Sequence, residues 1–335
     1  MKVIADAFGG DNAPLEILKG CADAVKELGV EIIAVGKENE IKKCASENGI
    51  SLENITIHDA PDVMKMTDDP LGIRHASNQT SMAIGLRMLA AGEGDAFVSA
   101  GSTGALVVGG TFIVKRIKGI KRAAIASVMP SEKQPFMLID SGANLDCTPE
   151  TLVQFATMGN IYMHNILGVA SPRIGLANIG TEETKGTPLY VEAYKLLKEC
   201  DFNFIGNAEV RDIPAGVCDV VVADGFTGNV ILKMYEGVAS SIAHRVSALF
   251  KKNAVSKLAA ALVMGGIKDF KKQMDYKEFG GAPLMGLRKP VIKAHGSSDA
   301  RAFKNAVRQA KDFSEKGVIS QIEALVEKEK TEAAE

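Results

Sequence analysis

The fold of this chain is indicated first by residues 3–14, which read VIADAFGGDNAP. A short apolar run ends in acidic residues and two glycines, and Pro14 then precedes a segment with helical periodicity, Leu15–Leu28. Proline is well tolerated near a helix start, because its missing N–H would have no partner there. The stretch therefore predicts a buried strand, a glycine-rich loop and a helix, in that order.

The same strand–loop–helix unit recurs along the 335 residues. The predicted strands are apolar runs rich in Val, Ile and Ala, namely Val3–Ala7, Glu31–Val35, Ala96–Ala100, Ala123–Val128, Phe136–Ile139, Ile174–Ile179, Phe202–Ile205 and Val220–Ala223. The helical segments between them include Leu15–Leu28, Thr80–Ala91, Pro149–His164 and Pro188–Glu199. Near-continuous apolar strands are typical of parallel sheets covered by helices on both faces. We therefore predict a doubly wound, three-layer α/β/α fold with a mostly parallel sheet.

Composition narrows the class of protein. A formal charge of -2 gives no overall reason to expect a nucleic-acid partner. The five cysteines are widely spaced and form no CxxC pair, so a disulfide framework or a zinc site is not expected. An acidic residue comes too early for a signal peptide, and no apolar run approaches the length of a membrane span. We expect a cytoplasmic protein whose membrane contact, if any, is peripheral.

The C-terminal third departs from the strand–helix rhythm. Lys251–Lys293 holds ten lysines and arginines against three acidic residues, and residues 258–267 within it read LAAALVMGGI. We predict one α/β/α unit over residues 1–330, with a helical hairpin excursion at about 235–290 bent at Gly265-Gly266, and a frayed tail at 331–335. An apolar tip ringed by lysine favours an anionic membrane surface, and packing within a homodimer is the alternative. The residues expected to contact a membrane or an acidic partner are Lys257, Leu258, Leu262, Ile267, Lys271 and Lys272.

Six predicted strands run into glycine with small polar or acidic residues. These loops begin at Asp6, Gly101, Asp140, Asn178, Gly206 and Asp224. In an open parallel sheet, ligands bind at the carboxyl ends of strands, where backbone N–H groups and helix starts favour anions. Each loop alone is equally explained by tight-turn chemistry, but six together predict a binding cleft on one edge of the sheet. The dinucleotide fingerprint GxGxxG, the phosphate loop GxxxxGK[ST], HExxH and GxSxG are all absent.

These loops, read in order, resemble the motifs of the acyl-carrier-protein:phosphate acyltransferases, the PlsX family. Residues 6–14 (DAFGGDNAP) are similar to the family's DAMGGDxAP opening, and residues 98–105 (VSAGSTGA) to its VSAGNTGA. Further matches are residues 140–144, 154–159, 178–182, 206–209, 224–229, 280–286 and 294–298. The blocks follow family order from residue 1 to about 300. Two departures are Ser102, where the family has asparagine, and a reduced basic pair at Arg74 and His75.

The resemblance implies a reaction that needs no protein nucleophile. A phosphate oxygen attacks a fatty acyl thioester, the carrier thiol leaves, and an acyl phosphate forms. The enzyme would desolvate and align phosphate and stabilise the oxyanion. We expect catalytic roles for Asn229, Lys233, Lys185 and His295, with His295 protonating the departing thiolate.

The remaining candidates for the phosphate and substrate site are glycines, small polar residues and carboxylates. They are Asp6, Gly10, Asp11, Gly101, Ser102, Thr103, Gly104, Asn144, Glu182, Asn207, Glu209, Asp224, Thr227 and Gly228. The five carboxylates among them are too many for a bare phosphate site, so some are expected to orient lysines or magnesium. No cofactor is required by the predicted chemistry, and no dedicated metal site is assigned.

The resemblance also implies partners. These are acyl-carrier protein, inorganic phosphate, a membrane glycerol-phosphate acyltransferase that uses the product, and a second copy in a homodimer. Three other functions remain consistent with the sequence. They are a coenzyme-A-dependent phosphotransacylase, a metal- and NAD-dependent decarboxylating dehydrogenase, and a non-catalytic fatty-acid-binding protein.

Overall fold

A computed structural model describes residues 1–266 and 279–332. The strands in these residues are β1 Lys2–Asp6, β2 Glu31–Gly36, β3 Ile55–Asp59, β4 Ala96–Ser99, β5 Ala124–Met129, β6 Phe136–Ile139, β7 Ile174–Asn178, β8 Phe204–Glu209, β9 Val220–Val222, β10 Ala282–Met285 and β11 Val291–Lys293. The α-helices are α1 Leu15–Leu28, α2 Glu38–Glu47, α3 Ser81–Ala91, α4 Thr103–Gly109, α5 Pro149–Asn165, α6 Pro188–Lys198, α7 Gly225–Lys251, α8 Ala254–Leu262, α9 Ala300–Glu315 and α10 Val318–Glu332.

The described strands form one sheet in the order β3-β2-β1-β4-β11-β10-β5-β6-β9-β7-β8. Seven of the ten strand pairings are parallel. Helices cover both faces, as β1 illustrates: Val3 and Ala5 share a buried cluster with residues of α1 and α9, whereas Ile4 packs with residues of α3. The predicted doubly wound α/β/α fold with a mostly parallel sheet is confirmed.

The expectation that all six glycine-rich loops meet at one edge is wrong. Strand β10 pairs antiparallel with β11 and with β5, and β5 pairs antiparallel with β6. The parallel strands β6, β9, β7 and β8 therefore run opposite to β1, β4 and β11. The loops that follow β1, β4 and β11 lie at one edge, and those that follow β6, β7 and β9 start at the other.

Local predictions are accurate where periodicity is strong. Helix α1 and strand β6 have the predicted bounds. Strand β8 was placed too early: residues 206–209, predicted as a loop, form the last four of its six residues and pair in parallel with β7. Glycine and asparagine disfavour strands, but the long-range pairing with β7 overrides that preference. Strands β3, β10 and β11 were not predicted.

Helix α7 follows β9 in the chain, and its first turn packs against the loop that follows β6. Its N-cap Asp224 accepts N–H donors from Phe226 and Thr227 at 2.9 and 3.0 Å, and the N–H of Gly225 donates to the Asn144 carbonyl at 2.7 Å. Gly228 allows the closest approach, because a Cβ there would lie 1.9 Å from the carbonyl oxygen of Asp140. The position of α7 therefore depends on a glycine one turn into the helix.

Beyond its first turns α7 leaves the core, and of its residues only Gly225, Gly228 and Ile231 are buried. The chain turns at Lys252, and Asn253 caps the start of α8 through a hydrogen bond from Ser256 N. The excursion is helical as expected, but this bend comes before the predicted one at Gly265-Gly266, whose two residues are helical. Ile267, Lys271 and Lys272 lie outside the described residues, which resume at 279. Residues 282–285, predicted to belong to the helical excursion, form strand β10 of the sheet.

The contact at Gly228 can be tested by comparing two glycines of the same helix. Gly228→Ala should lower the free energy of unfolding by about 1–3 kcal/mol or more, because the new methyl group collides with the backbone of residue 140. Gly237→Ala meets no atom within 4 Å and should be neutral or stabilise by up to about 1 kcal/mol. Urea unfolding measures both. Equal stability of the two variants would show that α7 does not rest on this loop.

Candidate active site

A cavity of about 450 Å³ lies where α4, α7, strand β5 and the end of β11 meet. Its polar lining comprises Thr103, Ser127, Ser141, Asn229, Lys233, Tyr235, Glu236, Lys293 and His295. Its apolar lining comprises Met66, Ile125, Val128, Met129, Pro130, Leu232, Ala239 and Ala282. The cavity therefore offers both cationic and neutral hydrogen-bond donors and an apolar surface.

The glycine turn after β4 supplies one wall. Thr103 and Gly104 are the first residues of α4 and line the cavity. The side chain of Ser102 is used as the N-cap, accepting from Ala105 N at 3.4 Å, and the N–H of Gly101 donates to Ser99 Oγ at 3.0 Å. Of the four turn residues, Thr103 and Gly104 therefore face the ligand space, and the other two shape the turn.

Helix α7 supplies the facing wall. Asn229 and Lys233 are one helical turn apart and both line the cavity, as their spacing predicted. The Lys233 ammonium lies 2.9 Å from Glu236 Oε2, and the Lys233 side chain is 58% exposed. It is therefore a solvated cation at the rim of the cavity, able to turn toward an anion inside.

Asp6 lies beneath the glycine turn instead of facing ligand. Its Oδ1 accepts from Ser81 Oγ at 2.6 Å and its Oδ2 from Ser99 Oγ at 2.7 Å. Burial raises the pKa of Asp6, and the two serine hydrogen bonds oppose that rise. Because Ser99 in turn accepts from Gly101, this carboxyl group holds the turn in place.

Lys293 is a cavity residue that the sequence analysis missed. It ends β11, where its Nζ donates to the Ala100 carbonyl at 3.3 Å and to the Ala294 carbonyl. Burial lowers the pKa of Lys293 to about 8. The available signal was a lysine that closes the apolar run of residues 290–292, directly before the AHGSS block.

The loop after β11 joins the loop after β1. Asp11 N donates to the Gly296 carbonyl at 2.8 Å, and Gly10 has φ +100° with no space for a Cβ against Ala100 and Gly296. His295 lines the cavity, and its Nδ1 lies 2.9 Å from Ser297 Oγ. Gly10 and Asp11 thus position the His295 loop, which is exposed at the cavity mouth.

Three predicted ligand residues have structural hydrogen bonds. The Asn144 amide donates to Asp140 Oδ2 at 2.8 Å and to the Ala123 carbonyl at 2.7 Å. Asp224 accepts from Tyr190 Oη at 2.6 Å and from Thr227 Oγ1 at 2.7 Å. Burial alone would raise the pKa of Asp224, but these hydrogen bonds outweigh it and hold the pKa below its ordinary value. Asn144, Asp224 and Thr227 do not line the cavity and support the start of α7.

The remaining predicted residues follow β7 or lie in β8, on strands that run opposite to β4. Lys185 and Glu182 form an exposed pair at 3.9 Å, and Glu209 pairs with Arg211 at 2.8 Å. The Asn207 amide donates to the Glu182 carbonyl at 2.7 Å. None of these four predicted residues lines the cavity, because β7 and β8 are the last two strands of the sheet, beyond β9.

Two properties concern metals and membranes. Within residues 1–266 and 279–332, no group of three or more His, Cys, Asp and Glu side chains is arranged to hold a metal ion. Across the same residues, every helix is too short or too polar for a bilayer crossing.

Comparison with solved structures defines the class of fold. A phosphotransacetylase from Streptococcus pyogenes superposes with a TM-score of 0.64 at 19% sequence identity, over 94% of each chain. At that identity the likeness establishes the α/β architecture alone.

The sequence establishes the family. The model of the fatty acid synthesis protein family matches residues 1–321. A phosphate acyltransferase from Clostridium novyi is 47% identical over 328 residues, which cover 98% of this chain and 99% of the relative. One from Clostridium botulinum, strain Loch Maree, is 47% identical over 324 residues, covering 96% and 97%. The chain belongs to this family and is an acyltransferase, so the resemblance to the PlsX family is confirmed.

The capping role of Asp224 yields a stability prediction. Asp224→Ala should lower the free energy of unfolding at neutral pH by about 1–2 kcal/mol, because two N–H groups of α7 lose their acceptor. The pKa of Asp224 is lower in the folded protein than in the unfolded chain, where it is about 4. The carboxylate therefore contributes its full stabilisation above pH about 4, and this stabilisation is lost as the pH falls through the folded-state pKa. Urea unfolding at two pH values measures the effect, with Asp146→Ala, at an exposed position, as the control. Unchanged stability with lost turnover would restore Asp224 as a site residue.

Proposed function

We propose that this enzyme transfers a fatty acyl group from an acyl-carrier-protein thioester to inorganic phosphate, producing an acyl phosphate for phospholipid synthesis. The observation that carries the proposal is the cavity, where Thr103, Asn229 and Lys233 stand beside an apolar lining. The polar groups suit a small oxyanion, and the apolar surface suits an acyl chain. The names of the relatives agree with phosphate as the acceptor.

In the proposed reaction, a phosphate oxygen forms a bond to the thioester carbon and the carbon–sulfur bond breaks. Thr103 and Asn229 donate hydrogen bonds and Lys233 contributes charge, so phosphate is held without its hydration shell. The monoprotonated phosphate dianion loses its proton and the departing sulfur gains one, so the step is balanced. We propose that His295, which lines the cavity, relays that proton.

We propose that phosphate binding needs no resident metal. Three of the five carboxylates that the sequence suggested have other partners: Asp6 binds serines, Asp224 caps α7, and Glu209 pairs with Arg211. In this proposal, the ammonium groups of Lys233 and Lys293 at the cavity supply the positive charge in place of a metal ion.

The decisive experiment mixes the protein with acyl-carrier protein charged with a fatty acid and with labelled phosphate. A hydroxylamine-sensitive labelled acyl phosphate and free carrier thiol are expected. Turnover with acyl-coenzyme A but not with the acyl carrier would instead favour a phosphotransacylase. Acyl binding without turnover would favour a fatty-acid-binding protein, and a change in NAD absorbance with a hydroxy acid would indicate a dehydrogenase.

Loss of a neutral donor should weaken phosphate specifically. Thr103→Val and Asn229→Leu should each raise the KM for phosphate about tenfold or more, because each removes a hydrogen bond to a charged ligand. Thr56→Val, at an exposed position of β3, is the matched control and should behave as wild type. A steady-state phosphate titration measures all three. Unchanged phosphate dependence in both cavity variants would refute the assignment.

We propose that the acyl carrier docks near the start of α8. The exposed lysines of this segment are Lys251, Lys252 and Lys257. Carrier proteins are generally acidic, and opposite charge raises association rates in a salt-sensitive way. The carrier would then present its thioester at the cavity lined by the first half of α7.

Helix α7 also carries an exposed apolar stripe, formed by Val230, Met234, Val238, Ile242, Val246 and Leu249. Successive members are three or four residues apart, so they lie on one side of the helix. In the first turns this side faces away from the cavity residues Leu232 and Glu236. We propose that the stripe packs against its counterpart in a homodimer.

A second apolar surface lies at the end of the excursion. Val255, Leu258 and Leu262 of α8 are exposed, Leu262 at 81%, and lysines precede them. We propose that this tip makes peripheral contact with anionic membranes from the cytoplasm. A membrane glycerol-phosphate acyltransferase would use the acyl phosphate there, since a long acyl chain partitions into lipid.

The membrane proposal predicts that acidic tip substitutions abolish vesicle binding. Leu258→Glu combined with Leu262→Glu should remove co-sedimentation with anionic vesicles, because two charges would have to enter the apolar interface. Leu145→Glu combined with Ile179→Glu, at exposed apolar positions elsewhere, is the matched control. Sedimentation velocity should show an unchanged dimer. Retained vesicle binding, or a dissociated dimer, would contradict the membrane role of the tip.

A further inference from the structure

Lys293, the last residue of β11, is a second lysine of the candidate active site. Lys293 pairs in register with Ser99 of β4, the residue whose hydroxyl donates to Asp6. Its side chain lines the same cavity as Thr103 and Asn229. Lys233 approaches that cavity from α7, so two lysines that are 60 positions apart in sequence serve one space.

The Nζ atom of Lys293 has carbonyl neighbours. It donates to the carbonyl oxygens of Ala100, at 3.3 Å, and Ala294. An ammonium group has three donors, so these two bonds leave one for a ligand in the cavity. Within the part of the chain that the structure describes, the Lys293 ammonium forms no ion pair with a carboxylate within 4.0 Å.

Partial burial of the Lys293 ammonium favours an added anion. Asp6 and Asp11 attract its positive charge from a distance and Lys233 repels it, and burial lowers the pKa of Lys293 to about 8. The Glu236 carboxylate is paired with the Lys233 ammonium at 2.9 Å, and His295 lies in the loop that follows β11. An ammonium removed from water is stabilised when an anion enters beside it.

We infer that the ammonium of Lys293 binds the phosphate that reacts in this cavity, opposite Lys233. The inference rests on the proposed function and adds to it a residue that touches the reacting oxyanion. The same chemistry would suit the phosphodiester of a carrier's prosthetic arm. The separate KM values for phosphate and for acyl carrier distinguish these two sources.

The test compares Lys293→Met with Lys289→Met, an identical change at an exposed position just before β11. Lys293→Met should weaken inorganic phosphate binding in calorimetry, and raise the KM for phosphate, by about 10- to 100-fold through loss of a charge-assisted hydrogen bond. Lys293→Met should leave the KM for acyl carrier unchanged, and Lys289→Met should leave both KM values unchanged. Wild-type phosphate affinity with Lys293→Met, or a raised KM for the carrier alone, would overturn the inference.

A pH profile separates ligand binding from a structural role. Wild-type phosphate affinity should fall as pH rises past about 8, because the Lys293 charge is lost there. Lys293→Met should lack this fall, and Lys293→Arg should bind phosphate with the fall moved to higher pH. If Lys293→Met does not fold, the arginine variant alone decides, and an unmoved profile in it refutes the inference. Phosphate binding that depends on Lys293 without acyl phosphate formation would refute the proposed reaction but not this site.

Discussion

The carboxylate of Asp140 links strand β5 to the loop of residues 140–144, against which the first turn of helix α7 packs. It accepts N–H donors from Ile125 at 3.0 Å, from Ala143 at 3.0 Å and from Asn144 at 2.7 Å. Burial raises the pKa of Asp140, and these hydrogen bonds oppose the rise. Strand β5 forms part of the cavity lining and α7 forms its wall, so this buried carboxyl group helps to position the loop that lies between them. Gly228 completes the arrangement by letting α7 touch this loop.

The acidic residues of the signature motifs act one layer below the chemistry. Asp6 holds the turn after β4, Asp140 holds the loop after β6, and Asp224 holds the first turn of α7. Each turns its oxygens toward backbone N–H groups or hydroxyl groups of the protein. The cavity consequently receives cations and neutral donors, and the carboxylate that lines it among the described residues, Glu236, is paired with Lys233 at 2.9 Å. A motif rich in Asp can thus serve an anion site, because the aspartates preorganise it.

Helix α7 connects the site to the surface of the protein. Its first turns line the cavity, its middle carries the apolar stripe, and its end leads to the exposed apolar residues of α8. At 27 residues it is about 40 Å long, so a single rigid element links these surfaces. In the proposed reaction, such a connection would spare the acylated product from crossing bulk water between the carrier protein and the membrane.

Much of this protein was determined by the sequence alone. The bounds of α1 and β6, the doubly wound class and the family follow from apolar periodicity and motif order, which are properties of short segments. Thr103, Asn229, Lys233 and His295 were found as cavity residues in the same way, although their roles remain predictions. Strand direction was different, because a residue's neighbours within its own strand do not determine whether the next strand runs parallel or antiparallel.

The tertiary structure alone decided which candidates share the site. The strand order places β7 and β8 last in the sheet, which keeps Glu182, Lys185, Asn207 and Glu209 away from the cavity. The parallel pairing of β11 with β4 brought Lys293 into it, across almost 200 sequence positions. Such juxtapositions depend on the order and register of strands, which are set by the burial of the whole sheet between its helices and leave no trace in local spacing.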